Sequence, residues 1–336
     1  MPDKHNNNGM SIAAGNWEDL IPVCSKEVKA GESDAAIFKM YTTSIHLMKE
    51  EWLVNANASG NSNQLSEPNL KLPNTIMIIT GFDEPFLSLV VNKIQHYCFS
   101  TSGAAPQALA LYEYIIAEKR TNNITDWALQ LFNAHYRQNE PASPVCYAGS
   151  SELRAEFLLD IPPANTITKE AIFQYVYAVL HHPAYRAKYS LNLKREFPRI
   201  PLYDNFHQWA AWGKKLMDLH IHYETATPYP LERKEIAAKE QPTAKLRAVK
   251  EEGIIQIDDN TELCNIPPSA WDYKLGNRSA LEWMLDEYKE KQLPAPTIAG
   301  QFNTYHLHDY KEHVINLLQR VCTVSVETIK IINAMP

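Results

Sequence analysis

Lys274, Asn277 and Arg278 flank Gly276 within the run from Pro267 to Tyr288. An ammonium, a carboxamide and a guanidinium fork around a freely turning residue can hydrogen-bond an anion or a polar ligand. The same residues also read as a basic, solvated turn over a core helix. Histidines are the other groups with chemical potential. His220-Ile221-His222 and His306-Leu307-His308 place two imidazoles at i, i+2, which share a face on a strand but point about 200° apart on a helix. His220 and His222 sit in a helical pattern, and no cysteine or third histidine stands at ligand spacing, so no metal site is expected. His181-His182 before Pro183 reads as a helix end.

Several chemistries are excluded by what is missing from the sequence. It contains neither GxxxxGK[ST] nor GxGxxG, the loops whose backbone amides cradle phosphates. Ile161-Pro162-Pro163-Ala164 and Ile266-Pro267-Pro268-Ser269 lack the amide and the aromatic ring of the Asn-Pro-Pro-Tyr loop of a DNA adenine methyltransferase. No serine, cysteine or carboxylate pair stands in a recognisable nucleophile or acid/base setting. The sequence therefore assigns no catalytic residue and no cofactor.

The elements that must position these groups follow from periodicity. Leu281, Met284, Leu285 and Tyr288 fall at i, i+3, i+4 and i+7, one apolar helix face, and Ser279 with Glu282 predicts a capping box at its start. Upstream, Ile37, Phe38, Tyr41, Ile45 and Met48 predict a helix from Ala35 to Trp52, followed by a polar hinge loop over residues 55–63. Residues 76–79, 86–91 and 95–99 read as strands, as do 245–249, 253–257 and 261–264 with a hairpin turn at Asp258-Asp259-Asn260. Between them lies a helical middle. Thr168 is its predicted N-cap, a second helix carries Tyr185, Tyr189 and Leu193, and a third begins at Asp204. The mixed-charge run 232–252 predicts a solvated face or a connection. The C-terminus predicts a helix through Val321 and then a second one over 324–332. The fold class is α+β, with mixed or antiparallel sheet elements, a helical middle section and C-terminal helices. The expected divisions are an arm at 1–34, an entry helix and hinge at 35–68, and a main domain at 69–336 with a helical subdomain near 166–224.

Composition sets the outer bounds. The chain has 336 residues, 45% apolar and 21% charged, ordinary for a globular protein. No run approaches the roughly 18 apolar residues of a membrane span, and the first residues lack a signal-peptide core, so a cytoplasmic protein with no membrane partner is expected. Five dispersed cysteines show no disulfide or zinc spacing. A net charge of −7 argues against indiscriminate polyanion binding. Residues 185–199 nevertheless carry Arg186, Lys188, Lys194, Arg195 and Arg199 against the single carboxylate of Glu196.

Pro267–Tyr288, together with the closing run Val321–Pro336, resembles the C-terminal target-recognition region of type ISP restriction-modification enzymes. Further segments continue the resemblance in order: residues 36–41 with 52–55, 81–94, 175–189, 198–201 and 213–220. It covers about residues 35–336. The resemblance implies a DNA sequence-reading module whose partners are double-stranded DNA and a methyltransferase/helicase-nuclease polypeptide. Nuclease, helicase-like ATPase and adenine-N6 methyltransferase parts belong to whole enzymes of that family and are not carried over. Where family members show a Thr-Asn-Arg-Asp-like run, this chain has Ser44–Glu51, which puts the contact supported by that run in doubt. On this reading Lys188, Lys194, Arg195, Arg199, Lys214 and Lys215 would hold phosphates, and Arg278, Asn277 and Lys274 would reach base edges. Loops over Asn92–His96 and Ser100–Gln107 are rival readers. The alternative is a protein-interaction module, a repurposed specificity domain that binds a methyltransferase or helicase partner without reading DNA.

Overall fold

Trp17, Leu20, Val23 and Cys24 are buried, so this part of the expected arm is core rather than a loose leader. The computed structural model describes residues 16–24, 35–39, 42–43, 74–80, 86–92, 107–116, 119–139, 166–236, 242–290 and 305–336. The chain forms two compact units, Met1–Asp83 with Ser88–Lys214, and Glu84–Leu87 with Lys215–Pro336.

In the first unit, β1 (Ile21–Pro22) is followed by a segment that does not form the predicted helix. The Ile37 amide donates to Pro22 O at 3.0 Å, the Phe38 amide to Val23 O at 2.9 Å, and the Thr125 amide to Ile37 O at 2.9 Å. The backbone is thus satisfied by segments far away in sequence, which overrides the local apolar spacing. It continues into β2 (Thr42–Thr43); the rest of the predicted helix, the hinge loop and the predicted strand 95–99 lie outside the described residues. With β3 (Ile76–Ile79), β4 (Ser88–Val91) and β5 (Gln107–Ala110), β2 makes an antiparallel sheet in the order β2-β5-β3-β4. All four β3 residues are buried, which is why that run is continuously apolar. A ribbon of β6 (Tyr112–Ile116) and β7 (Lys119–Asn122) follows.

Helix α1 (Asp126–Asn139), which no strong sequence signal announced, starts where Thr125 Oγ1 accepts from the Ala128 amide at 3.0 Å. Helix α2 (Lys169–His181) begins as predicted, with Thr168 Oγ1 accepting from the Ala171 amide. Glu170 in its first turn accepts from Asn122 Nδ2 at 3.0 Å and from the Tyr112 hydroxyl, tying the ribbon to the helix. Helix α3 (Pro183–Lys188), β8 (Arg199–Ile200, paired with β1) and α4 (Phe206–Ile221) complete this part, with α4 passing into the second unit after Lys214.

Aromatic rings fill this core. Tyr175 stacks on Phe206 at 5.3 Å, and Phe132 meets both rings edge-on. Burial pushes the Tyr175 phenol well above its usual range, so it stays a neutral donor and acceptor. Its hydroxyl donates to Pro201 O at 2.9 Å and accepts from the Tyr203 amide at 2.6 Å. The Tyr185 hydroxyl donates to Arg199 O at 2.8 Å. Two tyrosines of the helices therefore hold the extended chain 199–203. At Gly213 α4 comes so close to α2 that an added Cβ would lie 1.8 Å from Gln174 O.

Among the described residues, the second unit has a four-stranded antiparallel sheet packed with two helices beyond α4. Its strands are β9 (Glu232–Glu235), β10 (Ala244–Val249), β11 (Ile254–Asp258) and β12 (Thr261–Cys264), in the order β10-β11-β12-β9. The run 232–252 is thus not a mere connection, because it supplies two strands. Its charged residues sit at the exposed edge, since β9 is exposed at every position. The β13 (Lys274–Leu275) and β14 (Arg278–Ser279) hairpin leads into α5 (Ala280–Glu287). A single helix α6 (Leu307–Asn333) replaces the two predicted. Val321, Val324, Val326 and Thr328 are buried along it, and this packing outweighs the modest helix propensity of β-branched residues.

The predicted capping box is present: the Glu282 amide donates to Ser279 Oγ, and the Ser279 amide donates to Glu282 Oε2 at 2.9 Å. Lys250 pairs with the same carboxylate at 2.7 Å. Burial opposes the Glu282 charge, but hydrogen bonds from Lys250 and from the Ser279 amide and hydroxyl, with the Lys250 charge, hold its pKa at about 2. A carboxyl with a lowered folded pKa stabilises the fold above its unfolded pKa and loses that contribution as pH falls. Chemical denaturation at successive pH values should show stability falling between about pH 4.5 and 2, and Glu282→Gln should flatten that part of the profile. An unchanged profile in the variant would refute this assignment.

Candidate nucleic-acid interface

Helix α3 ends at Lys188, and residues 189–195 continue as turns, in which the amides of Tyr189, Leu193 and Glu196 donate to the carbonyls of Tyr185, Tyr189 and Asn192. Residues 183–196 together form a short ridge. Its inner face is Tyr185, Tyr189 and Leu193, all buried. Tyr189 packs on Trp17 at 5.1 Å and on Tyr185 at 5.3 Å. With these anchors inside, the three-to-four-residue spacing forces Ala184, Ala187, Lys188, Leu191, Lys194 and Arg195 outward, and all six are exposed. Among the described residues none of Lys188, Lys194 and Arg195 joins an ion pair. The ridge's carboxylate is drawn aside: Glu196 accepts from Trp17 Nε1 at 2.6 Å and lies 3.9 Å from Arg199. Among the described residues, the exposed ionic side chains of the ridge are thus Lys188, Lys194 and Arg195.

The other sequence-predicted phosphate residues fare differently. Arg199 lies in β8 opposite Pro22, half-buried, with its guanidinium 3.6 Å from the Glu18 carboxylate and donating to Glu18 O at 3.2 Å. It fastens the early chain and is not an open phosphate ligand. Lys214 and Lys215 are exposed on α4, where the chain passes between units.

The predicted base-contact residues form the β13–β14 hairpin of the second unit. Gly276 has φ of 70° and open space beside its Cα, so the left-handed backbone rather than crowding calls for glycine. Lys274 and Asn277 are exposed at this turn. Arg278 is braced. It is ion-paired with Asp286 and lies 5.7 Å over the Trp283 ring, whose Nε1 donates to Leu275 O at 2.9 Å. Its fork is pre-oriented, but a base would have to share or displace Asp286. Sequence reasoning missed Trp283 and Asp286 as that brace; both lie one helical turn apart on α5, a spacing that could have shown it. Of the rival loops, Asn92 is exposed and Gln107 begins β5, while 93–96 and 100–106 lie outside the described residues.

Of the paired histidines, His220 is a core residue, while His222, His306 and His308 are exposed. His220 is buried, stacked on Tyr273 at 5.2 Å, and its Nε2 is hydrogen-bonded to Thr328 Oγ1 at 2.9 Å. Among the described residues no group of three or more His, Cys, Asp or Glu is placed to hold a metal ion, and no helix is long and apolar enough to cross a membrane.

The sequence matches the family described as Type ISP C-terminal specificity domain over residues 37–317. Among solved structures, a chain of the DrdV–DNA complex is 32% identical with a TM-score of 0.73, over 96% of this chain and 38% of that one. A nuclease-deletion mutant of the type ISP restriction-modification enzyme LlaGI, in complex with a DNA substrate mimic, is 25% identical with a TM-score of 0.55, over 79% of this chain and 21% of that one. The ATP-dependent type ISP enzyme LlaBIII bound to DNA shares the fold at 17% identity and a TM-score of 0.62, over 96% of this chain and 24% of that one. This chain thus spans well under half of each of those polypeptides. No curated protein matches it. The chain belongs to the family of type ISP C-terminal specificity domains.

Proposed function

We propose that the chain is the DNA sequence-reading part of a type ISP-like restriction-modification system. Its work is binding, and its partners are double-stranded DNA and the methyltransferase, helicase and nuclease parts of such an enzyme, in the same or a separate polypeptide. The observation that carries this reading is the 32% identity, over nearly the whole chain, to a protein solved on DNA. The exposed cations Lys188, Lys194 and Arg195 support it, since phosphate contacts hold a reader in register while base-edge contacts specify. Lys214 and Lys215 are the further phosphate candidates. The hairpin residues Lys274, Asn277 and Arg278 are the base-contact candidates in the second unit.

Binding to a pool of random duplexes at about 50 and 200 mM salt tests the reading, because phosphate contacts release counterions. Affinity should fall steeply with salt. Replacing Lys188, Lys194 and Arg195 together by alanine should weaken binding about tenfold or more and make the log–log salt slope shallower by about 2.7. Arg278→Ala should instead relax preference among sequences. Negligible binding at both salts would overturn the proposal and leave a protein-interaction module; identical behaviour of the two variants would overturn the sorting of contacts.

A further inference from the structure

Arg278 is held in place before any ligand arrives. It stands on β14, and α5 fixes its guanidinium from two sides: Nη1 is ion-paired with Asp286 Oδ2, and the Trp283 ring centroid lies 5.7 Å from its Cζ. Trp283 is itself seated, since its Nε1 donates to Leu275 O at 2.9 Å, and Leu275 is the residue paired with Arg278 across the hairpin. The brace thus closes on the two strands that carry the arginine. Both ends of the ion pair are about half exposed, 46% at Arg278 and 54% at Asp286, so it adds little to stability. What it does supply is order. Fixing a mobile arginine costs rotamer entropy, and a side chain fixed beforehand avoids that cost on binding. Arg278 also differs from the cations of the ridge, because its charge is offset by Asp286, whereas Lys188, Lys194 and Arg195 join no ion pair among the described residues. An offset charge is a poor phosphate ligand, since that attraction is coulombic. The hydrogen-bonding edge survives. Among the described residues Asp286 engages only Nη1, and Nε and Nη2 make no hydrogen bond. Those two nitrogens offer parallel donors, which guanine accepts at N7 and O6, while adenine presents a donor of its own beside N7.

We propose that Asp286 is a positioning residue for sequence reading: it keeps Nη1 of Arg278 while Nε and Nη2 of the same guanidinium donate to N7 and O6 of a guanine in the major groove. This rests on the DNA-reading proposal above and deepens it, naming the base that Arg278 reads and the carboxylate that aims it. The base shares Arg278 with Asp286 and does not displace it.

The test pairs protein variants with an altered base. Duplexes enriched from a random pool by the full chain are prepared with each guanine replaced in turn by 7-deazaguanine, which lacks only the N7 acceptor, and titrated with the wild-type chain, Arg278→Ala, Asp286→Asn and the double variant. One replacement should weaken wild-type binding at least about fivefold, the lower end of the range for a bidentate base contact. Arg278→Ala should ignore that replacement. Asp286→Asn should lose most of the sensitivity yet bind random duplex more tightly, with a log–log salt slope steeper by about 0.9, because the released guanidinium becomes a phosphate ligand. In the Arg278→Ala background Asp286→Asn should leave the slope unchanged. A carboxylate that merely fastened the hairpin would shift the unfolding midpoint without touching the 7-deazaguanine response. Undiminished discrimination by Asp286→Asn overturns the positioning role. Sequence-selective binding that tolerates 7-deazaguanine at every position overturns the guanine contact and leaves the DNA-reading proposal standing; binding with no preferred sequence, or no binding at all, sinks both.

Discussion

Gly213→Ala is expected to destabilise the chain by at least about 3 kcal/mol, more than is usual for an overpacked core site. Local reasoning gives the opposite sign, because alanine exceeds glycine by about 1 kcal/mol in a helix interior. The tertiary structure reverses it. The new Cβ would lie 1.8 Å from Gln174 O, and that obstacle is the backbone of α2, not a side chain that can swing away. Relief requires a helix to move by about 1.5 Å to restore ordinary contact. Neither helix is free to do so. The neighbouring Tyr175 holds Pro201 and Tyr203 through its hydroxyl and stacks on Phe206 of α4. A movement that accommodates the methyl group breaks the stack or strands buried polar groups. Urea unfolding followed by tyrosine and tryptophan fluorescence should show a much lower midpoint, or no folded baseline. A variant as stable as wild type, or more so, would mean that the close approach is not a feature of the folded protein.

Lys311→Met is expected to cost about 3–5 kcal/mol, the range for breaking a buried ion pair by removing one partner. The Asp258 side chain is only 5% exposed and its Lys311 partner 16%, at 2.8 Å. Asp258 Oδ1 accepts the amides of Asn260 and Thr261, each at 2.8 Å, and Lys311 also donates to Thr261 Oγ1. The β11–β12 turn is thereby fastened to the first turns of α6. Burial opposes the Asp258 charge, but the Lys311 hydrogen bond and charge, with the two amides, lower its pKa overall. Without Lys311 its hydrogen bond and its charge are lost, so the carboxyl pKa should rise from its lowered value. A lowered folded pKa contributes stability that is present above the unfolded pKa and lost as pH falls, and the variant lacks that contribution. The deficit of Lys311→Met should therefore be greatest near neutrality and shrink as pH falls below about 4. Asp258→Asn combined with Lys311→Met should recover much of the loss. A single variant within about 0.5 kcal/mol of wild type, the usual range for an unremarkable surface change, would refute the clamp.

Where the backbone's partners are local, the sequence was legible. Thr168 and Ser279 cap the helices expected of them, and Asp258-Asp259-Asn260 turns between two predicted strands, because caps and tight turns are settled within a few residues. Ile37 and Phe38 show the opposite case. Their spacing matches a helix, but their hydrogen-bond partners, Pro22, Val23 and Thr125, lie in distant segments that no local pattern reveals. Val324–Ile332 is rich in β-branched residues of modest helix propensity, and its helix joins the preceding one because burial runs on along α6. The candidate interface divides the same way. Residue type identified Lys188, Lys194 and Arg195 as cations, and their exposure followed from the buried face of the ridge. That Arg199 and Arg278 already have carboxylate partners depends on packing.

The pairing of Ile21–Pro22 with Arg199–Ile200 also constrains the order of assembly. The Trp17 indole and the Val23 amide bond to Glu196 and Pro198, so the early segment has no seat until a ribosome has released residues nearly two hundred positions later. Closure over such a span is entropically slow. Until it happens, Tyr189 lacks the ring that covers it. The basic ridge should therefore be among the last surfaces of the first unit to set, after α2 has formed around its own cap. The exposed cations Lys188, Lys194 and Arg195 thus take their final places only when the two ends of that span have met.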